Sequence, residues 1–282
     1  MKIIKDPKEM HQFAFKAKAR GKTIALVPTM GYLHEGHLSL IGAARAKADI
    51  LVVSIFINPT QFSPSDDLAS YPRDLKHDLK QLKNFEVDIL FTPTTEQIYN
   101  PDHKTFIDVT GLAKRLCGVS RPSHFRGVAT IVAKLFNLVL PDFAFFGEKD
   151  YQQQLIIKAM ARDLNFPIEV ISLPIVREYD GLAMSSRNKY LAAKEREQAT
   201  ILYKALCVAK EEIEKGEQNV HKVLFKMRSL IGTNPSIRLD YAAIVNPETL
   251  EEAKNLKGRV LVAIAAHLGK ARLIDNLIIE GK

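Results

Sequence analysis

The sequence predicts an α/β protein: a Rossmann-like parallel-sheet domain over residues 1–175, then a smaller α+β domain over residues 176–282. Three observations predict it. Continuous apolar runs at Thr23 to Val27 and Ile50 to Ile57 enclose a stretch of helical period, the pattern of strands buried on both faces of a parallel sheet. The same alternation of strand, glycine turn and helix returns between Pro141 and Met160. Beyond residue 200 the order changes to helices followed by strands, which marks a separate α+β unit.

Taken in order, Asp6 to Arg20 is the first helix, with Met10, Phe13, Ala14 and Ala17 on one apolar side and Gly21 ending it. Thr23 to Val27 is a buried strand stopped by Pro28, which has no backbone donor. A loop with two glycines follows, and Leu38 and Ile41 then recur at helical spacing. Ile50 to Ile57 completes a βαβ unit. Asn58 to Phe62 is a polar turn, the stretch Ser63-Pro64-Ser65-Asp66-Asp67 continues the loop, and a helix runs through Leu75, Leu79 and Leu82 to a strand at Val87 to Phe91. Phe106 to Val109 reads as a further strand. Val128, Ile131, Val132, Leu135, Leu138 and Val139 keep helical period after Arg121 to Gly127. Pro141 to Phe146 is a strand, Tyr151 opens a helix, and Ile168 to Leu173 is the last strand of this half, closed by Pro174. A helix near Tyr190 to Ala199 is expected to take Ser185 or Ser186 as its cap. Amphipathic helices at Ile201 to Ile213 and Val220 to Ile231 precede strands at Ile237 to Val245, Arg259 to Ala265 and Arg272 to Ile279.

Composition removes several classes of function. The chain has 282 residues, 46% apolar and 26% charged, which is ordinary for a folded protein and not for a disordered one. Forty basic against 32 acidic residues leave a charge of +8, a mild attraction for anions. Those basic residues are scattered, so a nucleic-acid surface is disfavoured. No stretch approaches the roughly 18 apolar residues of a membrane span, and the opening residues have no apolar run of the length expected of a signal peptide. Cys117 and Cys207 are too far apart for a zinc motif or a disulfide framework, which suits a reducing, cytoplasmic setting.

The chemistry is expected at strand-to-helix corners. His34 and His37 stand where a helix begins, so both imidazoles turn to one side of its first turn, beside unpaired backbone N–H groups and the positive end of the helix dipole. Such a corner favours a polyphosphate, the alternative being a glycine loop with two solvent-facing histidines. Asn58 and Gln61 follow a strand at its carboxyl end, where open α/β sheets place ligands, although the same residues can simply make a turn. His124 and Arg126 precede a helix and face either an anion or solvent. Lys149 is a compact cation suited to phosphate and Asp150 an acceptor for ribose hydroxyls; Ser185, Ser186 and Arg187 make a second anion clamp. Strand ends of one parallel sheet converge, so these corners are expected to form one site. The chain shows no paired acid/base carboxylates, no serine elbow and no metal-ligand cluster. Positioning and charge stabilisation remain, which suit attack on the α-phosphate of ATP.

Several longer motifs carry a family resemblance. Pro28-Thr-Met-Gly-x-Leu-His-Glu-Gly-His37, Asn58-Pro-x-Gln-Phe62, Tyr71-Pro-Arg73, His124-Phe-Arg-Gly127, Phe146-Gly-Glu-Lys-Asp-Tyr-Gln-Gln153 and Met184-Ser-Ser-Arg-Asn188 resemble the pantoate–β-alanine ligases, a family within the class I nucleotidyltransferases, over nearly the whole chain. The resemblance implies that ATP and pantoate give pantoyl adenylate and pyrophosphate, and that β-alanine then displaces AMP. It implies that Met30, Gly31, Tyr32, Leu33, His34, Glu35, Gly36 and His37 hold ATP, with His37 the acid-type catalytic residue and His34 beside it at the phosphates. Gly147, Glu148, Lys149 and Asp150 would also contact the nucleotide, and Val176, Met184, Ser185, Ser186 and Arg187 would complete that site. Gln61 would bind pantoate and approach β-alanine, and Gln153 would bind pantoate. Magnesium accompanies ATP in this family, and Asp78 is the obvious oxygen ligand near the expected place. The resemblance further implies a cytoplasmic homodimer that acts on small molecules, away from membranes and nucleic acid. Its rivals are another nucleotidyltransferase of the same superfamily and a non-catalytic basic module that binds RNA.

Overall fold

The two apolar runs near the start lie side by side as parallel strands, β2 (Ile24–Thr29) and β3 (Ile50–Ile55), in register from Ile24↔Ile50 to Thr29↔Ile55. In the computed structural model, which describes residues 1–64 and 66–282, they form the centre of the larger sheet; Ser65 of the expected loop lies outside the described residues. Among the described residues β1 (Lys2–Ile4), β4 (Ile89–Phe91), β5 (Phe143–Gly147) and β6 (Glu169–Leu173) complete a six-stranded parallel sheet in the order β1-β4-β3-β2-β5-β6.

Both faces of this sheet are covered, which is why its strands read as unbroken apolar runs. On one face Ala25, Val27, Leu51, Val53, Leu90 and Phe145 form a core with Leu40, Ile41 and Ala44 of α2 (Glu35–Lys47) and Leu82 of α3 (Leu75–Leu82). Their alternates, Leu26, Val52, Ile89, Ala144 and Phe146, are equally buried. Helix α1 (Pro7–Ala19) buries Met10, Ala14 and Ala17, begins with the Asp6 carboxylate accepting from Lys8 N–H, and thereby follows the expected span. After the short turn α4 (Thr95–Ile98) and the single turn α5 (Cys117–Ser120) comes the long apolar helix α6 (His124–Val139). Helix α7 (Tyr151–Asp163) connects β5 to β6.

Three local expectations need correction. Strand β2 does not stop at Pro28 but runs through it to Thr29. In a parallel strand alternate residues turn their peptide groups to opposite neighbours. Thr29 O accepts from Phe56 on the β3 side, whereas Ile24 O accepts from Asp142 on the β5 side. Pro28 shares the parity of Ile24, and pairing with β5 ends at Leu26↔Ala144, so its missing N–H removes no ladder bond. Phe106 to Val109 is not a strand. Ile107 N–H donates to the Thr130 hydroxyl, and the Phe106 ring lies under the Arg126 guanidinium at 4.3 Å. The serines at 185 and 186 do not cap a helix at Tyr190; Ser185 caps a tight turn over Ser186–Tyr190, and the helix, α8, starts only at Ala193 and runs to Gln198.

The second unit is α+β, as expected. Among the described residues β7 (Ile237–Val245), β8 (Gly258–Leu268) and β9 (Ala271–Gly281) form an antiparallel sheet in that order. Leu202, Leu206, Ala209 and Ile213 of α9 (Ile201–Glu214) and Val223, Met227 and Ile231 of α10 (Val220–Gly232) pack on Ile244, Val262, Ile264 and Ile279 of the sheet. By contacts the chain divides into one unit of residues 1–113, 121–148 and 153–174 and another of 114–120, 149–152 and 175–282. No helix among the described residues is long and apolar enough to cross a membrane.

Candidate active site

In the first unit the corner after β2 is built by satisfying its own backbone. Thr29 is buried; its hydroxyl donates to Ser54 O (2.8 Å) and accepts from Gly31 N–H (3.1 Å). Gly31 and Tyr32 take positive φ, 83° and 52°, to turn the chain. Tyr32 N–H and Leu33 N–H then donate to the Asp78 carboxylate at 3.0 and 2.7 Å. His34 is the N-cap of α2: its Nδ1 accepts from Gly36 N–H (3.2 Å), and His34 N–H reaches His37 Nδ1 (3.4 Å). The two imidazole rings lie 4.1 Å apart, on one side of the first turn.

This geometry changes the chemical reading of the corner. The N–H groups of Gly31, Tyr32, Leu33, His34, Gly36 and His37 all have partners within the chain, so most of the backbone donors expected to be unpaired at this corner are engaged. What the corner offers an anion is the dipole of α2 and the imidazoles. Because each Nδ1 accepts a backbone N–H, each neutral ring carries its proton on Nε2, and that atom is the donor.

The Asn58–Gln61 turn is equally self-contained. Asn58 is 1% exposed; its amide donates to Gln61 Oε1 (3.0 Å) and Gly127 O (3.1 Å), and its Oδ1 accepts from the hydroxyls of Thr60 and Tyr99, both at 2.9 Å. Asn58 therefore holds Gln61, and Gln61 Nε2 in turn reaches Met30 Sδ at 3.2 Å. His124 and Arg126 are not placed as an anion pair. His124 Nδ1 lies 2.8 Å from Gln61 O, and Arg126 pairs with Asp108. The His124-Phe-Arg-Gly127 motif is a support for the turn, for at Gly127 a Cβ would come within 2.4 Å of Thr60 O.

The structure also separates three adjacent glutamines that spacing cannot. Gln152 Nε2 donates to Arg115 O and its Oε1 accepts from Cys117 N–H. Gln154 Oε1 accepts from the Ser172 hydroxyl. Gln153, the candidate, is half-buried on α7 between these two anchored neighbours.

In the second unit Lys149, Ser185, Asn188 and Asp275 line a small pocket with Leu182, Ala183, Leu202, Leu273 and Ile274. Ser185 Oγ accepts Arg187 N–H, which shapes the Ser186–Tyr190 turn. The segment leading there is folded back on itself: Glu178 N–H donates to Leu182 O, and Met184 N–H donates to Val176 O. Arg196 bonds both Glu178 and Asp180, and its hydrogen bonds hold Asp180 below the usual carboxylate range. Arg177 makes a two-pronged pair with Asp275 at 2.7 and 2.9 Å, its guanidinium 4.0 Å from the Tyr203 ring centre. Burial pushes the Asp275 carboxyl above its ordinary pKa although Arg177 pulls it down. Asn188 Nδ2 donates to Glu178 and Ala183 O, which fixes the amide and leaves a buried Oδ1 with no partner among the described residues. Asn276 Nδ2 donates to Lys149 O.

Among the described residues no group of three or more His, Cys, Asp or Glu side chains is arranged to hold a metal. Asp78, the expected ligand, is 1% exposed and spends both oxygens on backbone N–H groups. That burial and those two bonds favour a structural role over a metal-ligand one.

Comparison with known proteins agrees with these motifs. Residues 2–278 match the family described as pantoate-beta-alanine ligase. The chain is 53% identical to pantothenate synthetase of Thermosipho melanesiensis over 281 residues, and 50% identical to that of Fervidobacterium nodosum over 280; each alignment covers 99% or more of both chains. Among solved structures, pantothenate synthetase of Thermus thermophilus superposes with a TM-score of 0.94 at 44% identity, covering 98% of this chain and 99% of that one. Pantoate-beta-alanine ligase of Francisella tularensis, complexed with beta-gamma ATP and beta-alanine, gives 0.83 at 34% identity, covering 99% and 97%. With the family matched along nearly its entire length and the signature corners folded as described, the chain belongs to the pantoate–β-alanine ligase family.

Proposed function

We propose that the chain joins pantoate to β-alanine in two ATP-dependent steps. A pantoate carboxylate oxygen attacks the α-phosphorus of ATP, and the bond to the β-phosphate oxygen breaks to release pyrophosphate. The amine of β-alanine then attacks the acyl carbon of pantoyl adenylate, the bond to AMP breaks, and the amine gives up a proton. The observation that carries this reading is the full-length relation to the Francisella ligase, whose structure holds an ATP form and β-alanine.

Each step leans on charge placement. His37 Nε2–H donates to phosphate oxygen as charge develops during transfer, and His34 Nε2–H does so beside it. Met30 to His37, Gly147 to Asp150, Val176 and Met184 to Arg187 are the residues we assign to the nucleotide. Lys149 and Arg187 neutralise phosphate charge, and Ser185 supplies a hydroxyl. Gln61 and Gln153 bind pantoate, and Asn58 positions Gln61 in place of touching substrate. Residues 1–175 act as the nucleotide- and pantoate-binding domain and residues 176–282 as its C-terminal companion. Magnesium, if bound with the triphosphate, would neutralise phosphate charge. We assign the enzyme to the cytoplasm as a homodimer, acting on small molecules without nucleic acid or membrane.

The test is direct. Purified protein given ATP and pantoate should release pyrophosphate, and AMP should follow on adding β-alanine. No AMP with both acids present sinks the assignment, and an RNA mobility shift without ATP turnover would favour the basic-module rival. Gly127→Ala probes the pantoate side. Its Cβ must displace the Thr60 carbonyl, so a loss of about 1–3 kcal/mol of stability is expected together with a raised KM for pantoate. Urea unfolding and steady-state kinetics measure both, and an unchanged KM would detach Gln61 from pantoate.

A further inference from the structure

We infer that Asp78 is the positioning residue of the ATP loop. The inference rests on the reading that Met30 to His37 hold the nucleotide. Asp78 sits on the first turns of α3, 45 residues along the chain from Leu33, and is 1% exposed. Its Oδ2 accepts Tyr32 N–H at 3.0 Å and its Oδ1 accepts Leu33 N–H at 2.7 Å. A carboxylate is the one side chain of this size that accepts at both oxygens without offering a donor.

Three surrounding features show that the loop is moulded on this helix. A Cβ on Gly31 would lie 3.0 Å from Asp78 Oδ2 and 3.0 Å from Ile55 Cγ2, so at φ +83° the chain passes directly over the carboxylate. The neighbouring His77 stacks on Tyr32 with ring centres 5.5 Å apart, and its Nε2 lies 3.1 Å from Leu33 O. Two consecutive residues of α3 thus hold both polar sides of the backbone at Leu33, immediately before the His34 cap. Burial pushes the Asp78 carboxyl above its ordinary pKa, and the Leu33 and Tyr32 N–H groups oppose that shift. Since these bonds take the loop's donors, Asp78 acts on ATP through the placement of His34 and His37.

The experiment measures ATP affinity calorimetrically in the full-length chain. Asp78→Asn keeps the shape but turns an amide N–H₂ toward one of the two N–H groups. ATP affinity is expected to fall tenfold or more, with KM for β-alanine within about twofold of wild type, and the defect is expected to persist at saturating magnesium. Asp49→Asn serves as control, because Asp49 also accepts from Thr23 N–H and hydroxyl but lies at the opposite end of β3; its ATP affinity should stay within twofold. Recovery of Asp78→Asn by added magnesium would overturn the inference in favour of a metal ligand. Normal ATP affinity in Asp78→Asn beside a wild type that binds ATP would overturn this inference alone, whereas a wild type that binds no ATP would overturn the nucleotide reading with it. Should Asp78→Asn not fold, amide exchange in the wild-type chain decides: Tyr32 and Leu33 amides are expected to be protected, and exchange at the rate of open loops would remove the clamp.

Discussion

His37→Ala is expected to fold and to lose adenylation by a factor on the order of a hundred or more, the loss typical of removing one preorganised donor from a developing charge. Folding should survive because α2 is held by Leu40, Ile41 and Ala44 on its buried face, and the His37 hydrogen bond to His34 N–H is long, at 3.4 Å. The chemical loss should be large because the N–H groups of Tyr32, Leu33 and Gly36 are tied to partners within the chain and cannot move in to replace the imidazole. Pantoate-dependent exchange of pyrophosphate into ATP isolates the first step, and far-UV circular dichroism checks the fold. His37→Gln, which keeps an N–H donor, should fall between the two. A wild-type exchange rate in His37→Ala would take the phosphate role away from this residue.

The contrast between backbone and side-chain donors marks where sequence reading stops. The sheet was legible because its strands are buried on both faces: Leu51 to Val53 carry no polar side chain, and such a run has few alternatives to a central parallel strand. Helices α1, α9 and α10 were legible through their periodic buried positions. Pro28 misled because the rule that proline ends a strand ignores which neighbour its missing N–H would have faced. Phe106 to Val109 misled because an apolar dyad of alternation is too short to separate a strand from a loop pinned by Thr130 and Arg126. In the candidate site, spacing could single out the histidine pair and the Ser185 to Arg187 turn but left solvent-facing histidines and simple capping as alternatives, and only the longer family motifs chose between them. Asp78 could not be assigned its contacts, since its partners Tyr32 and Leu33 are set by the packing of α3 and not by any local pattern. Gln153 differs from Gln152 and Gln154 only in what the fold has done with its neighbours.

Arg177→Ala should produce the largest loss of stability, about 3–5 kcal/mol, because it strands a carboxylate inside the second unit. Asp275 is 3% exposed, and besides the two Arg177 bonds it has Asn276 N–H at 2.7 Å. The same truncation removes the cation from the Tyr203 ring and the donor to Gly181 O, so the Val176 to Met184 segment loosens with it. The sign of the pH dependence follows from Asp275, whose folded-state pKa lies above its ordinary value because of burial. A group that binds its proton more tightly in the folded chain lowers stability as pH rises from its ordinary pKa through the raised one. The Arg177→Ala deficit should therefore be greatest near neutral pH and shrink as pH falls toward the carboxylate range. Adding Asp275→Asn removes the stranded charge, and the double variant should be more stable at pH 7 than Arg177→Ala by itself. Urea unfolding of the single and double variants at pH 7 and pH 5 measures both effects. A deficit that does not change with pH, and that Asp275→Asn fails to relieve, would mean that the cost of Arg177→Ala lies in lost packing against Tyr203 and not in the buried charge.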